Sequence, residues 1–157
     1  MISCIFEDGG KGSLRHVSVN GIVLNEKGEL LLNKRAPHIT NGNKFGLIGG
    51  FLDRDETTKE CVIRELKEEA GIEGEVQTLF QIKDNPDRPQ EDRQNVEFVY
   101  IVKAKSDDVK GSSEGEVFWF SLDKLPDQKE FAFDHFETIQ KFKEYKKSSF
   151  SLPIIPS

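Results

Sequence analysis

The sequence is poor in the residues that build disulfide frameworks and thiolate or imidazole metal sites. Its 157 residues include two cysteines, Cys4 and Cys61, and three histidines, His16, His38 and His135. The cysteines lie far apart and match no spacing that is typical of a zinc site. We therefore expect two reduced thiols rather than a disulfide or a zinc centre.

Long apolar runs and an excess of basic residues are also missing. No apolar run approaches the roughly 20 residues that span a membrane, and no basic segment followed by an apolar one marks the N-terminus for export. We therefore expect a cytoplasmic protein without a membrane partner. The 28 acidic residues outnumber the 22 basic ones, which argues against a nucleic-acid polymer as partner. A small phosphorylated ligand remains compatible with this charge.

The chain reads as one domain over residues 1–157, because it has no internal repeat and no linker, and 148–157 is expected to be an irregular tail. Alternating or continuous apolar runs predict strands at residues 14–24, 30–35, 75–82, 96–104 and 117–122. Helices are predicted at 57–70 and 135–146. Strands mixed with one central and one C-terminal helix indicate an α/β sandwich whose helices cover the sheet.

Both predicted helices carry a capping-box pattern. Thr57 and Glu60 have the T-x-x-E spacing that satisfies two free amides of a first helical turn, and Gly71 follows the last residue of that helix. Asp134 and Glu137 have the same spacing at the start of the C-terminal helix. We expect a capping box at each place.

The central helix has an acidic stripe. At about 100° per residue, Glu65, Glu68 and Glu69 converge with Cys61 on one side of the helix, separate from its apolar face. Such a face is usually just solvated. Inside a partly buried cleft, however, each carboxylate pair at about 4 Å would repel by roughly 4 kcal/mol at an effective dielectric of 20. A hard cation such as Mg²⁺ or Mn²⁺ would remove that cost.

The residues around the stripe favour the cation site. Arg64 can reach Glu68 or an acid of the preceding loop, where Glu56 lies. The glycines at 49 and 50 allow a close backbone approach, so a carbonyl at Gly49 is a further candidate ligand. The full pattern is Gly50-x5-Glu56-x7-Arg64-Glu65-Leu66-x-Glu68-Glu69-x-Gly71-Ile72.

This pattern resembles the Nudix box at every fixed position, and the chain is identified as a member of the Nudix hydrolase superfamily. The resemblance implies an α/β/α sandwich with a mixed, partly antiparallel sheet. It also implies Mg²⁺- or Mn²⁺-dependent hydrolysis of a nucleoside diphosphate linked to another group. By position, Glu65, Glu68 and Glu69 correspond to metal ligands, and one of the last two also orients or deprotonates water. Glu56 and Arg64 correspond to the pair that fixes the loop against the helix.

The chain departs from the usual family pattern at two positions. Ile48 stands where relatives often have proline, and Asp55 stands where they often have glycine before the loop glutamate. Because Asp tolerates left-handed backbone conformations better than most residues, we expect the turn at Asp55 to form. The departures concern the shape of the loop and not the metal ligands.

Many members take a further carboxylate from a loop outside the box. Glu114 precedes the predicted strand at 117–122 and is our candidate, with Glu116 as the second choice. Two solvated loop acids are the alternative.

Five residues are candidates for substrate contacts: Arg35, Arg88, Arg93, Asn95 and Phe45. Arg88 and Arg93 lie in an Arg-Pro-x-x-Asp-Arg segment that resembles ADP-ribose-type members, and arginine forks suit phosphate. Arg35 corresponds to a family position near the phosphates, or is a surface residue. The two loop arginines could instead pair with neighbouring acids. Phe45 could stack on a base or pack in the core.

Other residues fit structural roles. His38 is expected to be exposed, His135 to cap or pack, and Trp119, with Phe118 and Phe120, to anchor the sheet.

We expect an ADP-ribose-like substrate, a small-molecule nucleoside diphosphate derivative, and a homodimer as in many relatives. A nucleoside triphosphate or dinucleoside polyphosphate pyrophosphohydrolase, and a non-catalytic nucleotide sensor, are the alternatives.

Overall fold

The computed structural model describes residues 2–88 and 94–155. These residues form nine strands and two helices, apart from a short 3₁₀ turn at Gln128–Glu130. In chain order the elements are β1 (Ile2–Ile5), β2 (Lys11–Leu14), β3 (Val17–Leu24), β4 (Leu30–Arg35), β5 (Phe45–Gly46), β6 (Ile48–Phe51), α1 (Thr58–Ala70), β7 (Gly74–Lys83), β8 (Val96–Ala104), β9 (Gly115–Phe120) and α2 (His135–Lys147).

Strand β3 is the centre of a mixed sheet. It runs parallel to β8 and antiparallel to β6 and β4, while β7 lies antiparallel to β8 on the far side. β4 pairs in turn with β5 and β9, both antiparallel. The residues of β3 are valine-rich and almost wholly buried, as expected of a strand covered on both faces.

The two helices cover opposite faces of this sheet and create two apolar cores. Val62 and Leu66 of α1 pack with Val19 and Leu31 in the first core. Ile139 and Phe142 of α2 pack in the second, which also contains Ile22. The expected α/β/α sandwich with a partly antiparallel sheet is therefore confirmed.

The start and end of α1 follow the sequence pattern. The Thr57 side chain accepts a hydrogen bond from the Glu60 amide, and the Glu60 carboxylate accepts one from the Thr57 amide. Gly71 ends the helix at φ 69°, in the left-handed region that favours glycine. The first predicted capping box is confirmed.

The second predicted capping box is wrong. Asp134 precedes α2, but its side chain makes no capping hydrogen bond. Its carboxylate forms ion pairs with Lys83 and Arg88, at 2.6 Å in each case. Two cations from other elements outcompete the helix amides, because charge-assisted hydrogen bonds are stronger than neutral ones. A capping box forms instead at Asp127 and Glu130, on the 3₁₀ turn.

The predicted strand at 14–24 is interrupted. β2 ends at Leu14 and β3 begins at Val17, and β1 and β2 form a two-stranded sheet of their own that the sequence reading missed. In the tail, Ile154 hydrogen-bonds with Phe80 and Ile82, so the tail docks on β7. No helix within residues 2–88 and 94–155 is long and apolar enough to cross a membrane.

Candidate active site

Two glycines let the backbone of β6 pack against its neighbours without side chains. A Cβ at Gly49 would lie 2.1 Å from the carbonyl oxygen of Val19, and a Cβ at Gly50 would lie 2.2 Å from Oε1 of Glu65. Both distances are too short for any side chain. The Glu65 carboxylate therefore lies directly against the Gly50 backbone, which is the close approach that the sequence suggested.

Arg64 connects the loop before α1 to the acidic face of the helix. Its Nη2 and Nε lie 2.8 and 3.1 Å from the two carboxylate oxygens of Glu56. Nη1 lies 2.8 Å from Oε1 of Glu65 and 3.0 Å from Oε2 of Glu68. Nη2 also donates to the carbonyl of Phe51 at 3.1 Å. One guanidinium therefore fixes three carboxylates and the end of β6, which agrees with the supporting role expected of Glu56 and Arg64.

The loop that carries Glu56 has a well-defined turn. Asp55 adopts φ 68°, so the aspartate does take the left-handed conformation expected in place of glycine. The carboxylate of Glu56 also accepts a hydrogen bond from the Asp53 amide at 2.8 Å. The hydrogen bonds from Arg64 lower the pKa of Glu56 to about 2, so this carboxylate is charged over the whole neutral range.

The three helix glutamates differ in burial. The Glu68 side chain is 59% exposed and that of Glu65 only 12%, while Glu69 is buried in the fold. Burial raises the pKa of Glu65, although Arg64 opposes this. Burial raises the pKa of Glu69 to about 8; a hydrogen bond with Asn33 opposes this, and the charges of Glu65 and Glu114 add to it.

The geometry fits a divalent cation. Oε2 of Glu69 is buried and has no hydrogen-bond partner among the residues that the structure describes. A buried oxygen of this kind is costly unless another group satisfies it. Carboxylate oxygens are the ligands that Mg²⁺ and Mn²⁺ prefer, and a cation would restore the charged form of Glu69. Glu65, Glu68 and Glu69 are the residues that would hold it.

Glu114 lies in the same cleft, whereas Glu116 faces elsewhere. The negative charge of Glu114 acts on both Glu65 and Glu69, and its side chain lines the cleft. Glu116 is exposed on β9, in register with Lys34. The backbone of the Glu114 loop is tied to the rest of the site, because its carbonyl accepts a hydrogen bond from Ala36 at 2.8 Å. The placement agrees with the first choice made from the sequence.

The cleft itself has a volume of about 430 Å³, within the size range of small-molecule sites. It is lined on one side by the β6 backbone and acids of the box, including Gly49, Gly50, Glu65 and Glu68. The remaining wall comes from β3, β8 and the start of α2, and it includes Ser18, Asn95, Glu97, Phe133 and His135.

Arg35 reaches this cleft from the end of β4. Its guanidinium lies 5.4 Å from the ring centre of Phe133, and its Nε donates to the Thr40 carbonyl at 2.8 Å. Its positive charge acts on Glu69. Phe133 has φ 54°, a conformation that is uncommon for a bulky residue. The sequence reading missed Phe133, and no periodicity or motif distinguished it from the apolar residues around it.

Arg88 is buried in an ion cluster that the sequence reading also missed. Its guanidinium lies 2.7 Å from Glu97 and 2.6 Å from Asp134, and Lys83 contacts the same two acids at 3.2 and 2.6 Å. Burial favours the neutral carboxyl, but Lys83 and Arg88 hold the pKa of Glu97 and of Asp134 below the ordinary values. One clue was available, since Glu97 is a charged residue inside an otherwise apolar strand.

This ion cluster does not need a metal ion. Glu97, Asp134 and His135 offer ligand atoms within 4.8 Å of one another, but Lys83 and Arg88 already compensate the two carboxylates. Nδ1 of His135 accepts a hydrogen bond from the Leu47 amide at 3.0 Å. Burial lowers the pKa of His135 to about 4, so the imidazole is neutral at pH 7 and joins α2 to the β5–β6 connection.

The substrate candidates fall into three groups. Arg35, Arg88 and Asn95 line the cleft, and the guanidinium of Arg88 pairs with Glu97 of β8 and with Asp134 before α2. Phe45 belongs to the core instead of the cleft: its ring packs edge-on to Phe120 at 5.4 Å and contacts Phe131. Arg93 lies outside the described residues.

The minor expectations have clear outcomes. His38 is exposed, and Trp119 packs against the first core while its Nε1 donates to the Asp107 carbonyl at 3.0 Å. Both cysteines are free thiols, and burial raises the pKa of Cys61 to about 12. Ile48, which replaces the usual proline, is fully buried in the first core.

The α/β/α sandwich carries a cleft lined by carboxylates, and comparison with known proteins gives the family. The NUDIX domain profile matches residues 14–142. A protein named ADP-ribose pyrophosphatase from Methanocaldococcus jannaschii is 34% identical over 83% of this chain and 74% of its own length. The chain therefore belongs to the Nudix hydrolase family.

Solved structures agree with this fold. A NUDIX hydrolase from Nitrosomonas europaea superposes with a TM-score of 0.80 at 22% identity, over 94% of this chain and 81% of that one. A bifunctional NMN adenylyltransferase/ADP-ribose pyrophosphatase from Francisella tularensis, in complex with AMP and a Mn ion, gives 0.67 at 23% identity, over 85% and 42%.

Proposed function

We propose that this Nudix hydrolase cleaves the pyrophosphate bond of an ADP-ribose-like nucleoside diphosphate derivative, with Mg²⁺ or Mn²⁺ as cofactor. The observation that carries the proposal is the buried Glu69 oxygen, which has no hydrogen-bond partner among the described residues, on a carboxyl that feels the charges of Glu65 and Glu114. The name of the M. jannaschii relative supports the substrate. The structure of the bifunctional F. tularensis protein, part of which shares this fold, contains AMP and a Mn ion, which is consistent with a nucleotide substrate and a divalent cation.

The side chains of the cleft have distinct roles in this proposal. Glu65, Glu68, Glu69, Glu114 and the Gly49 carbonyl would hold the cation. When bound, a divalent cation neutralises pyrophosphate charge and lowers the pKa of bound water. Arg64 holds Glu56, Glu65 and Glu68 in one arrangement, and such preorganisation stabilises a transition state without reorganisation during the reaction.

Other roles in the proposal are the binding of the substrate and the acceptance of a proton from the attacking water. Arg35, the last residue of β4, donates hydrogen bonds from its guanidinium to the phosphate oxygens of the substrate. Water attacks one phosphorus and the bridging P–O bond breaks, which releases a mononucleotide and a phosphorylated fragment. Glu68 or Glu69 orients this water and takes its proton. Arg88 forms part of the wall of the cleft that binds the substrate. A contact between Arg93 and the substrate stays a prediction from the sequence.

A substrate panel tests the proposal. ADP-ribose, nucleotide sugars, NADH, dinucleoside polyphosphates and nucleoside triphosphates are incubated with Mg²⁺ or Mn²⁺, and the products are identified by mass. We expect AMP and ribose 5-phosphate from ADP-ribose. If ADP-ribose is inert while a triphosphate is cleaved rapidly, the substrate is wrong and the reaction class stands. If no compound is cleaved, the sensor alternative is favoured.

We also propose a cytoplasmic location and a homodimer. Two unpaired thiols, Cys4 and Cys61, support a reducing compartment. The β1–β2 hairpin supports a second copy as partner, because it exposes Ile2, Ile5 and Leu14. Cell fractionation tests the location.

A further inference from the structure

The cleft contains polar atoms that the hydrolysis of a pyrophosphate does not use. Ser18 and Asn95 line it and are 6% and 5% exposed. Ser18 Oγ and Asn95 Oδ1 are buried and have no hydrogen-bond partner among residues 2–88 and 94–155. Native structures rarely leave such atoms unsatisfied. Each oxygen therefore calls for a hydrogen-bonding group that the described chain does not supply.

An aromatic ring lies beside these oxygens. Ser18 on β3 is in register with Phe51 on β6 and with Glu97 on β8, and side chains of registered residues share one face of a sheet. Phe51 is 40% exposed and lines the cleft. Its ring packs against His16, with 4.8 Å between the ring centres. Hydrogen-bond acceptors next to a partly exposed ring suit a flat, polar heterocycle.

The surroundings hold Asn95 in place before any ligand arrives. Arg15 donates to the backbone carbonyls of Gln94 and Asn95, the latter at 3.2 Å. The carboxylate of Glu97, two residues further on, is engaged by Lys83 and Arg88. A preorganised acceptor loses little conformational entropy when a ligand binds. Both carboxylate oxygens of Glu97 face a cation, although its Oε1 makes no hydrogen bond within the described chain. Ser18 and Asn95 therefore supply the uncharged oxygens of this part of the cleft.

We propose that Ser18, Asn95 and Phe51 form the subsite for the nucleobase, and that this subsite prefers a base with an exocyclic amino group. The inference rests on the proposed function, in which the substrate is a nucleoside diphosphate derivative. The base stacks on the Phe51 ring, and its amino group donates to Asn95 Oδ1. A carbonyl in the same place would face an acceptor and leave it unpaired, which sites of this kind discriminate against strongly. The Ser18 hydroxyl can donate or accept, so it binds a polar atom of the base without selecting an amino group.

AMP and IMP provide the probe, because they differ by an amino group and a carbonyl at one position of the purine. Their binding is measured by calorimetry in EDTA, so that no hydrolysis and no metal are involved. We expect the wild type to bind AMP at least about tenfold more tightly than IMP. In Asn95→Ala the ratio falls to about threefold or less, whereas Ser18→Ala weakens the binding of AMP by about threefold or more and leaves the ratio near that of the wild type.

Asn85→Ala is the matched control, since Asn85 is an exposed residue of the same loop whose side chain accepts a turn hydrogen bond from the Asp87 amide. Its ratio should equal that of the wild type. Circular dichroism and thermal melting show whether each variant is folded, and Ser18→Ala keeps the test decisive if Asn95→Ala is not.

Three outcomes would overturn the subsite: no AMP binding at millimolar concentration, equal binding of AMP and IMP by the wild type, or an unchanged ratio in Asn95→Ala together with unchanged AMP binding in Ser18→Ala. Hydrolysis of ADP-ribose by the wild type with Mg²⁺ separates this result from the proposed function. If ADP-ribose is cleaved but the ratio of AMP to IMP affinity is unchanged in Asn95→Ala, only the proposed subsite is contradicted. If AMP binds selectively but ADP-ribose is not cleaved, the proposed reaction is contradicted and the subsite is still supported.

Discussion

Glu69 is a carboxylic acid enclosed by the fold, with one oxygen that lacks a partner in the described chain. Burial raises its pKa to about 8 from an ordinary value of 4.5. Between these two values the folded protein keeps a proton that the unfolded chain has lost. The stability of the metal-free protein should therefore fall as the pH rises from 4.5 to 8.

Glu69→Gln should separate the loss of stability caused by the buried carboxylate from the role of Glu69 in the reaction. Glutamine does not titrate, so in EDTA the variant should melt higher than the wild type by roughly 3–8 °C at pH 8, and by much less at pH 5. Turnover with Mg²⁺ should be almost absent, and Mg²⁺ should no longer raise the Tm. Glu73→Gln, an exposed acid, is the control. Full turnover, or the same Tm difference at both pH values, would contradict this role.

Glu56 behaves in the opposite way, because the hydrogen bonds from Arg64 lower its pKa to about 2. Its contribution to stability is complete above the unfolded value of 4.5 and is lost as the pH falls through the folded value. We expect Glu56→Gln to lower the free energy of unfolding by about 2 kcal/mol at pH 7. Urea denaturation should show a clearly smaller difference at pH 3. A difference that is independent of pH would assign the loss to packing instead of charge.

At the scale of elements, the ion cluster joins α2 to the sheet. Asp134 precedes α2 and contacts Lys83 at the end of β7 and Arg88 in the following loop. Removing one partner of a buried ion pair leaves the other charges uncompensated, which costs about 3–5 kcal/mol.

Asp134→Asn should therefore destabilise the protein by about 3 kcal/mol in urea denaturation. Glu137→Gln should change stability by less than about 0.5 kcal/mol, because Glu137 is an exposed residue that does not take part in a cap with Asp134. Equal losses of stability in the two variants would contradict the ion pairs as the cause and favour the capping box that the sequence predicted for Asp134 and Glu137.

At the scale of the molecule, the β1–β2 hairpin extends the sandwich with a separate sheet. Ile5 is 73% exposed and Phe6 is 44% exposed, and exposed apolar clusters of this kind often mark a protein contact. Light scattering after gel filtration should give roughly twice the chain mass of 17.8 kDa.

Ile5→Asp should shift this mass to that of one chain, since a charge would be buried in the contact. Ile155→Asp is the matched control, because Ile155 is 64% exposed outside the hairpin. A wild-type protein that is monomeric at every concentration tested would contradict the proposed homodimer.

The predictions that succeeded rest on local patterns. Thr57, Glu60 and Gly71 define α1 through hydrogen bonds that span three or four residues, so their spacing is visible in the sequence. The left-handed turn at Asp55 is local for the same reason. Asp134 and Glu137 show the limit, because the same spacing failed once two distant cations competed for the carboxylate.

The sequence by itself determined the box: the glycine that admits Glu65, the arginine that holds Glu56, and the three glutamates on one helix face all lie within residues 50–72. Their order along the chain sets their geometry, because one helix and one loop carry them. The tertiary structure alone decided which glutamate is buried, that Phe45 packs in the core, and that Ser18 and Asn95 meet beside Phe51. The last of these results depends on the pairing of β3 with β6 and β8, which brings Ser18 into register with Phe51 and Glu97, each more than 30 positions away along the chain. The acidic surplus of the sequence becomes a candidate cation site only where the fold buries carboxylates such as Glu65 and Glu69 together.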